Sequence, residues 1–341
     1  MVDAYLQVSV FVAATLGFLF LLEKAGRTNL EQIMRSYRHA QIPMAAVLGA
    51  IPGCGGAIMV TTQYIRGSMS FGGVVTVLVA TMGDAAFLLL AKEPGTALLV
   101  FATCFAAGIV SGYVVDAVHG RDFLRADTDY CAGEEELIVE NGLLTPMYFV
   151  WMACFIPGAA MGLLTAAQID AAALSQQWLG IDLVTGLALA AALLSVFMWA
   201  VNPISDFRLF TSSTRSFSRR VCDTTNFVTF WVIVGFVAYE LAVSLLGLDL
   251  RVLFSAWLPL LPLVATLVGF IPGCGPQIVV TALYLNGVIP LSALLANAIS
   301  NDGDALFPAI VATPRAAILA TLYSAVPALV VGYAFFFFVE R

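Results

Sequence analysis

Ile51-Pro52-Gly53-Cys54-Gly55 returns 220 residues later as Ile271-Pro272-Gly273-Cys274-Gly275, again inside a long apolar stretch. The offset then holds without a gap as far as Gly112-Tyr113, which falls on Gly332-Tyr333. On the way, Tyr64 falls on Tyr284, Gly67 on Gly287, Gly83-Asp84-Ala85 on Gly303-Asp304-Ala305, and Pro94 on Pro314. Most other aligned positions differ, as after an old duplication. Both copies keep a thiol beside helix-breaking residues and a carboxylate in the next apolar segment. Interrupted apolar segments at matching places in two halves are the mark of a membrane transporter.

The composition agrees. Hydrophobic residues make up 61% of the chain and charged residues 11%, against about 25% charged in a soluble domain. Mean hydropathy is +0.95. Bilayer-length apolar runs read as spans at Tyr5–Leu22, Pro43–Ile65, Phe71–Leu90, Thr96–Val118 and Pro146–Thr165 in the first half. In the second half they read as Leu183–Val201, Asn226–Gly247, Pro262–Leu285, Leu291–Val311 and Ala316–Val339. Tyr5–Leu22 has no basic stretch before it and no small-residue cleavage site after it. It is expected to stay as a helix rather than be removed. A net charge of −7 without a basic patch excludes nucleic acid as a partner. The partners are instead the lipid bilayer and the transported ion, and a homodimer is compatible with the sequence. The chain reads as a transporter and not an enzyme.

Between the first two spans, Asn29–Ala40 is patterned as an interfacial amphipathic helix, and Asp249–Trp257 holds the same place in the second copy. The division is therefore a first repeat unit over 1–118, a linking region over 119–223, and a second repeat unit over 224–341. The linking region holds an acidic loop, Asp122–Asn141, two spans, and the basic segment Pro203–Asp223. The acidic loop reads as a solvated surface or as a metal-sensing loop.

Pro52 and Pro272 lack a backbone donor, and small residues follow each, so an unbroken helix is disfavoured there. The segment either spans as a broken helix or re-enters as a hairpin covered by protein. The basic residues favour the hairpin. With both segments re-entrant and the N-terminus outside, only Lys92, Arg251 and Arg341 of the 15 Lys and Arg residues face outside. The second unit is then inverted relative to the first. The expected fold is an all-α integral membrane protein, an inverted-repeat secondary transporter with two broken or re-entrant Pro-Gly-Cys-Gly hairpins. It would lie in the cytoplasmic (inner) membrane with both termini outside.

Asp84 and Asp304 lie well inside their spans, and an ionisable group there is a functional candidate by default. Asn301 and Asp302 extend the second copy to Asn-Asp-Gly-Asp, where the first has Thr-Met-Gly-Asp. A lone cysteine in an apolar helix is ordinarily a small hydrophobe, and that reading suits Cys104 and Cys154, which have no cysteine mate. Cys54 and Cys274 sit at the tips beside helix starts, where a thiol is readily activated or turned toward a ligand. Gln63 and Gln277 lie near the tips and are candidates for completing a shell. Glu240 is a candidate proton relay or an end-of-span residue. The two histidines, His39 and His119, lie outside the apolar spans, so an intramembrane metal site must use sulfur and oxygen. Such a mixed donor set fits a divalent first-row cation.

The doubled Ile-Pro-Gly-Cys-Gly segment, each copy followed by Gly-Asp-Ala in the next span, resembles the ten-helix heavy-metal exporter family. Members of that family are labelled manganese transporters or arsenic efflux permeases. The resemblance covers nearly the whole chain in length and span count. It implies export from the cytoplasm and a metal or metalloid substrate. With no nucleotide-binding motif in the chain, transport is expected to draw on an ion gradient. The expected activity is export of a divalent transition metal, with manganese first, in exchange for protons. The metal is the substrate, and no cofactor is expected. Cys54, Cys274, Asp84 and Asp304 would bind it with help from Asp302 and Asn301. The alternatives are efflux of a trivalent arsenical or other thiophilic ion, and transport of a small anion held at the hairpin helix N-termini.

Overall fold

The computed structural model describes residues 4–10, 12–14, 17, 40–65, 67–124, 144–166, 182–201, 217–246 and 258–340. The expected interfacial helices, most of the acidic loop and most of the basic segment lie outside these residues. So do Arg66 and the side chains of Asp304 and Glu240. Among the described residues every regular element is helical.

In the first copy, α1 (Gln41–Ala50) and α2 (Gly55–Ile65) flank the Pro-Gly-Cys break, followed by α3 (Phe71–Ala80), α4 (Ala85–Lys92) and α5 (Pro94–His119). The linking helices are α6 (Leu144–Ala166) and α7 (Leu183–Val201), and α8 (Phe217–Leu246) leads into the second copy. That copy repeats the pattern as α9 (Leu261–Gly269), α10 (Cys274–Leu285), α11 (Leu291–Ser300), α12 (Leu306–Ala312) and α13 (Pro314–Phe338). A short 3-10 turn, Gly303–Ala305, precedes α12. The 26-residue α5 and the 25-residue α13 would each reach nearly 40 Å at about 1.5 Å per residue. That is enough for a hydrocarbon core of about 30 Å. Both begin with proline at the first turn, Pro94 and Pro314, where its missing N–H costs nothing. Each leaves large apolar side chains such as Leu98, Val110, Ile318 and Val330 exposed.

The chain forms two compact units, one from Met1–Asn29 with Ala126–Ile233, the other from Leu30–Arg125 with Val234–Arg341. In the first, α6 and α7 pack on each other and on the π-helical turn Ala4–Ser9. Tyr5 donates its hydroxyl to the Cys154 carbonyl at 3.4 Å. Thr229 Oγ1 lies 2.7 Å from Ser9 Oγ, the residue 220 positions earlier.

The second unit holds both Pro-Gly-Cys-Gly copies. Helices α1 and α2 pack against each other, so closely that a Cβ on Gly56 would stand 2.0 Å from the Leu48 carbonyl oxygen. Gln41, at the start of α1, donates its side-chain amide to the Ser68 carbonyl just beyond α2 at 3.0 Å. The first and last residues of this helix–break–helix segment therefore lie side by side. Helix α2 ends on Gly67 at φ 72°, with the Ser68 N–H returning to the Gln63 carbonyl at 2.9 Å. This is a Schellman cap, for which a left-handed residue is needed. Gly287 at φ 70° and the Val288 N–H close α10 in the same way.

The expected span Phe71–Leu90 falls within Phe71–Lys92, a stretch long and apolar enough to cross a membrane, but its helix and that of the expected span Leu291–Val311 are each interrupted in the middle. Helix α3 stops at Ala80, and Thr81 turns to extended backbone. The Gly83 N–H then donates to Thr81 Oγ1 at 3.3 Å, and α4 starts at Ala85. In the second copy Asn301 plays the part of Thr81, with Gly303 N–H donating to Asn301 Oδ1 at 3.3 Å. A side-chain oxygen thus captures the N–H two residues on, a turn that competes with the helix. Gly83 and Gly303 sit at φ 51° and 56°, in the left-handed region that a Cβ disfavours by roughly 1–2 kcal/mol.

Close packing by small residues fixes these pieces. A Cβ on Gly112 of α5 would fall 1.9 Å from Thr76 Oγ1 of α3. A Cβ on Gly332 of α13 would fall 2.8 Å from Ala296 Cβ of α11. Such approaches let helix backbones meet without large side chains between them. A carboxylate then ties each pair. Asp116 accepts from the Gly72 N–H at 2.9 Å and the Ser70 hydroxyl at 2.8 Å. Glu340 accepts from the Ser292 N–H at 2.7 Å and its hydroxyl at 2.6 Å. Each acceptor satisfies donors that a helix start leaves open. The short helices past the second breaks cross between copies, α4 packing on α10 and α12 on α2.

Candidate metal centre

The two Pro-Gly-Cys breaks and the two Gly-Asp-Ala breaks meet inside the second unit. Cys54 immediately precedes α2, and Cys274 is the first residue of α10. Their Sγ atoms lie 3.3 Å apart, with both residues buried. Asp84, at the N-cap of α4, is 7% exposed. One ligand atom from each of Cys54, Asp84 and Cys274 lies within 4.8 Å of the others. The Gly53 N–H donates to the Gly83 carbonyl at 3.1 Å, which ties the thiol-bearing break to the carboxylate-bearing one.

The glycine before each aspartate backs the sulfurs. A Cβ on Gly83 would stand 3.4 Å from Cys274 Sγ and 3.5 Å from Cys54 Sγ. A Cβ on Gly303 would stand 3.6 Å from Cys54 Sγ. The glycines therefore answer both to backbone shape and to the close approach of the thiols. The arrangement can hold a cation. Two sulfurs and a carboxylate converge at one buried place, each at the start of a helix.

The other expected residues divide. Asp304 has its backbone in the Gly303–Ala305 turn, and its side chain is outside the described residues, as is that of Glu240. Asp302 is buried but is not one of the three converging groups. Its carboxylate accepts from the hydroxyls of Thr321, through a short hydrogen bond, and Ser324, at 3.4 Å, both on α13. Asn301 uses its side-chain oxygen within its own turn. Gln63 lies two turns along α2 from Cys54, and its Oε1 accepts from the Ser68 hydroxyl at 2.7 Å. Gln277 does reach the centre, for a Cβ on Gly83 would also meet Gln277 Oε1, at 3.2 Å.

Thr321 and Ser324 were not candidates from the sequence, yet a signal existed. They lie three apart, on one face of an apolar helix. At their places in the first copy stand Phe101 and Cys104, and at that of Asp302 stands Met82. The polar trio thus belongs to the second copy alone.

A family model described as "Putative, 10TM heavy-metal exporter" matches residues 1–339. No curated protein and no solved structure matches the chain.

Proposed function

Because the chain belongs to this family of ten-helix heavy-metal exporters, we propose that it exports a thiophilic divalent metal ion, bound between Cys54, Cys274 and Asp84, across the cytoplasmic membrane in exchange for protons. The observation that carries this reading is the buried pair of thiols 3.3 Å apart with Asp84 beside them. Thiolates favour soft ions, whereas manganese prefers oxygen. With Asp302 engaged on α13, the described donors are richer in sulfur than the sequence reading that placed manganese first. A carboxylate beside the sulfurs also speaks against an anion as cargo, since like charges in a low-dielectric pocket repel. Thiols must lose their protons to ligate a metal, so loading releases protons and unloading takes them up. That link supports proton exchange at the site itself.

Metal uptake into inverted vesicles tests the choice of ion. Zinc and cadmium are expected to accumulate and to compete out manganese at equal concentration. Uptake of manganese in preference to both would return the reading to an oxygen-dominated site. Uptake of arsenite alone would move it to the trivalent thiophilic class.

The same reading includes an inverted repeat with two re-entrant hairpins. Within the second unit, the contact of Cys54 with its own mate Cys274 supports a two-fold relation between the copies, because residues on such an axis touch their own mates. The Gln41–Ser68 bond supports re-entry, since it holds both ends of one hairpin at one level. In membranes, Gln41→Cys with Ser68→Cys is expected to be joined within one chain by a short bis-thiol cross-linker, read by mass spectrometry, since a glutamine side chain spans the gap between the two positions. A pair that never cross-links would place the two ends apart, as a spanning segment requires.

A further inference from the structure

Gln277 sits one turn beyond Cys274 in α10, and the i, i+3 spacing puts both on one face of the helix. It is 1% exposed. Neither its Oε1 nor its Nε2 has a hydrogen-bond partner among the described residues. An unpaired buried amide is costly, by about 1–3 kcal/mol, so a residue kept there needs a reason. Packing does not supply one. At the equivalent place in the first copy, α2 carries Ala57, so the helix turn after the thiol is built without an amide. Position supplies the reason. Around the site of a Gly83 Cβ, Gln277 Oε1 stands at 3.2 Å and the two sulfurs at 3.4 and 3.5 Å. The amide oxygen thus faces the same small space as the thiols, beside Asp84. Gln63, by contrast, has its amide oxygen engaged with Ser68.

We propose that Gln277 Oε1 is the fourth donor to the metal, completing a four-coordinate set of two sulfurs and two oxygens with Cys54, Cys274 and Asp84. This rests on the reading that the thiols and Asp84 hold the ion. A closed tetrahedral set of that kind suits zinc, cadmium or cobalt(II), and it disfavours manganese, which takes more oxygen ligands in octahedral geometry. Gln277 is then a specificity-determining residue. Its neutral oxygen supplies the last ligand without adding a further negative charge to the pocket.

The test uses the purified full chain in detergent, loaded with zinc and read by X-ray absorption and by zinc affinity. The unsubstituted protein is expected to show two sulfur and two oxygen or nitrogen neighbours. Gln277→Ala, which installs the residue of the first copy, is expected to weaken zinc binding by at least the roughly tenfold that loss of a mere outer-shell partner costs while keeping both sulfurs. Gln277→His places a strong ligand of similar reach at the same spot. It is expected to restore affinity and to add the outer-shell scattering of one imidazole. The proposal is overturned if Gln277→Ala binds zinc within about twofold of the unsubstituted protein, or if no imidazole appears in the histidine variant. Absence of any sulfur shell in the unsubstituted protein would instead sink the thiol site itself, so the two failures are told apart.

Discussion

Replacing both thiols, Cys54→Ser with Cys274→Ser, is expected to remove high-affinity zinc and cadmium binding and with it transport at low metal concentration. The magnitude follows from comparison with closed zinc sites. Four ligands of a structural zinc together supply about 10–16 kcal/mol, so two thiolates are worth about 6 kcal/mol, or roughly four orders of magnitude in affinity. Serine keeps the size of the side chain and offers a hydroxyl that does not ionise near neutral pH. The effect should therefore fall on the metal and leave the packing in place. The 3.3 Å separation of the sulfurs makes the losses non-additive, because either thiol alone leaves half of a soft site. Titration calorimetry in detergent checks the affinity, and vesicle uptake checks transport. Manganese uptake should change far less than zinc uptake in the same variant. Zinc binding within tenfold of the unsubstituted protein would show that the thiols are packing residues.

Asp84→Asn is expected to lower zinc uptake at least about a hundredfold, with the protein still reaching the membrane. The amide preserves shape and removes the single described carboxylate at the thiols. In a buried pocket the lost charge weighs heavily, because water does not screen it. Asp302→Asn is the matched control. Its carboxylate is held by Thr321 and Ser324 rather than by the metal group, so its zinc affinity should stay within about threefold of the unsubstituted value. Equal loss of affinity in both variants would mean that Asp302 reaches the ion after all. Uptake by Asp84→Asn within twofold of normal would remove that carboxylate from the binding site.

The sequence by itself determined the class of molecule and the repeat, and it singled out Cys54, Cys274 and Asp84, which the structure brings together. Apolar composition admits only a membrane setting, and the 220-residue offset pairs Cys54 with Cys274 and Asp84 with Asp304 before any coordinates are known. Pro52 and Pro272 announced the first breaks because a missing backbone donor is a local property, visible one residue at a time. The breaks at Thr81–Asp84 and Asn301–Gly303 were not legible in the same way. Glycine inside an apolar run is ordinary in membrane helices, and the left-handed turn at Gly83 depends on the Thr81 hydroxyl and on the sulfurs packed behind it. Only the tertiary structure decided how the polar residues divide. Asp302 follows Asn301 in sequence, yet it turns to hydroxyls on α13, whereas Asp84 joins two thiols from different copies. Gln63 and Gln277 look alike in the sequence. The amide oxygen of one accepts from the Ser68 hydroxyl just past its own helix and that of the other faces the centre, because helix phase and crossing angle, not residue type, set where an amide ends.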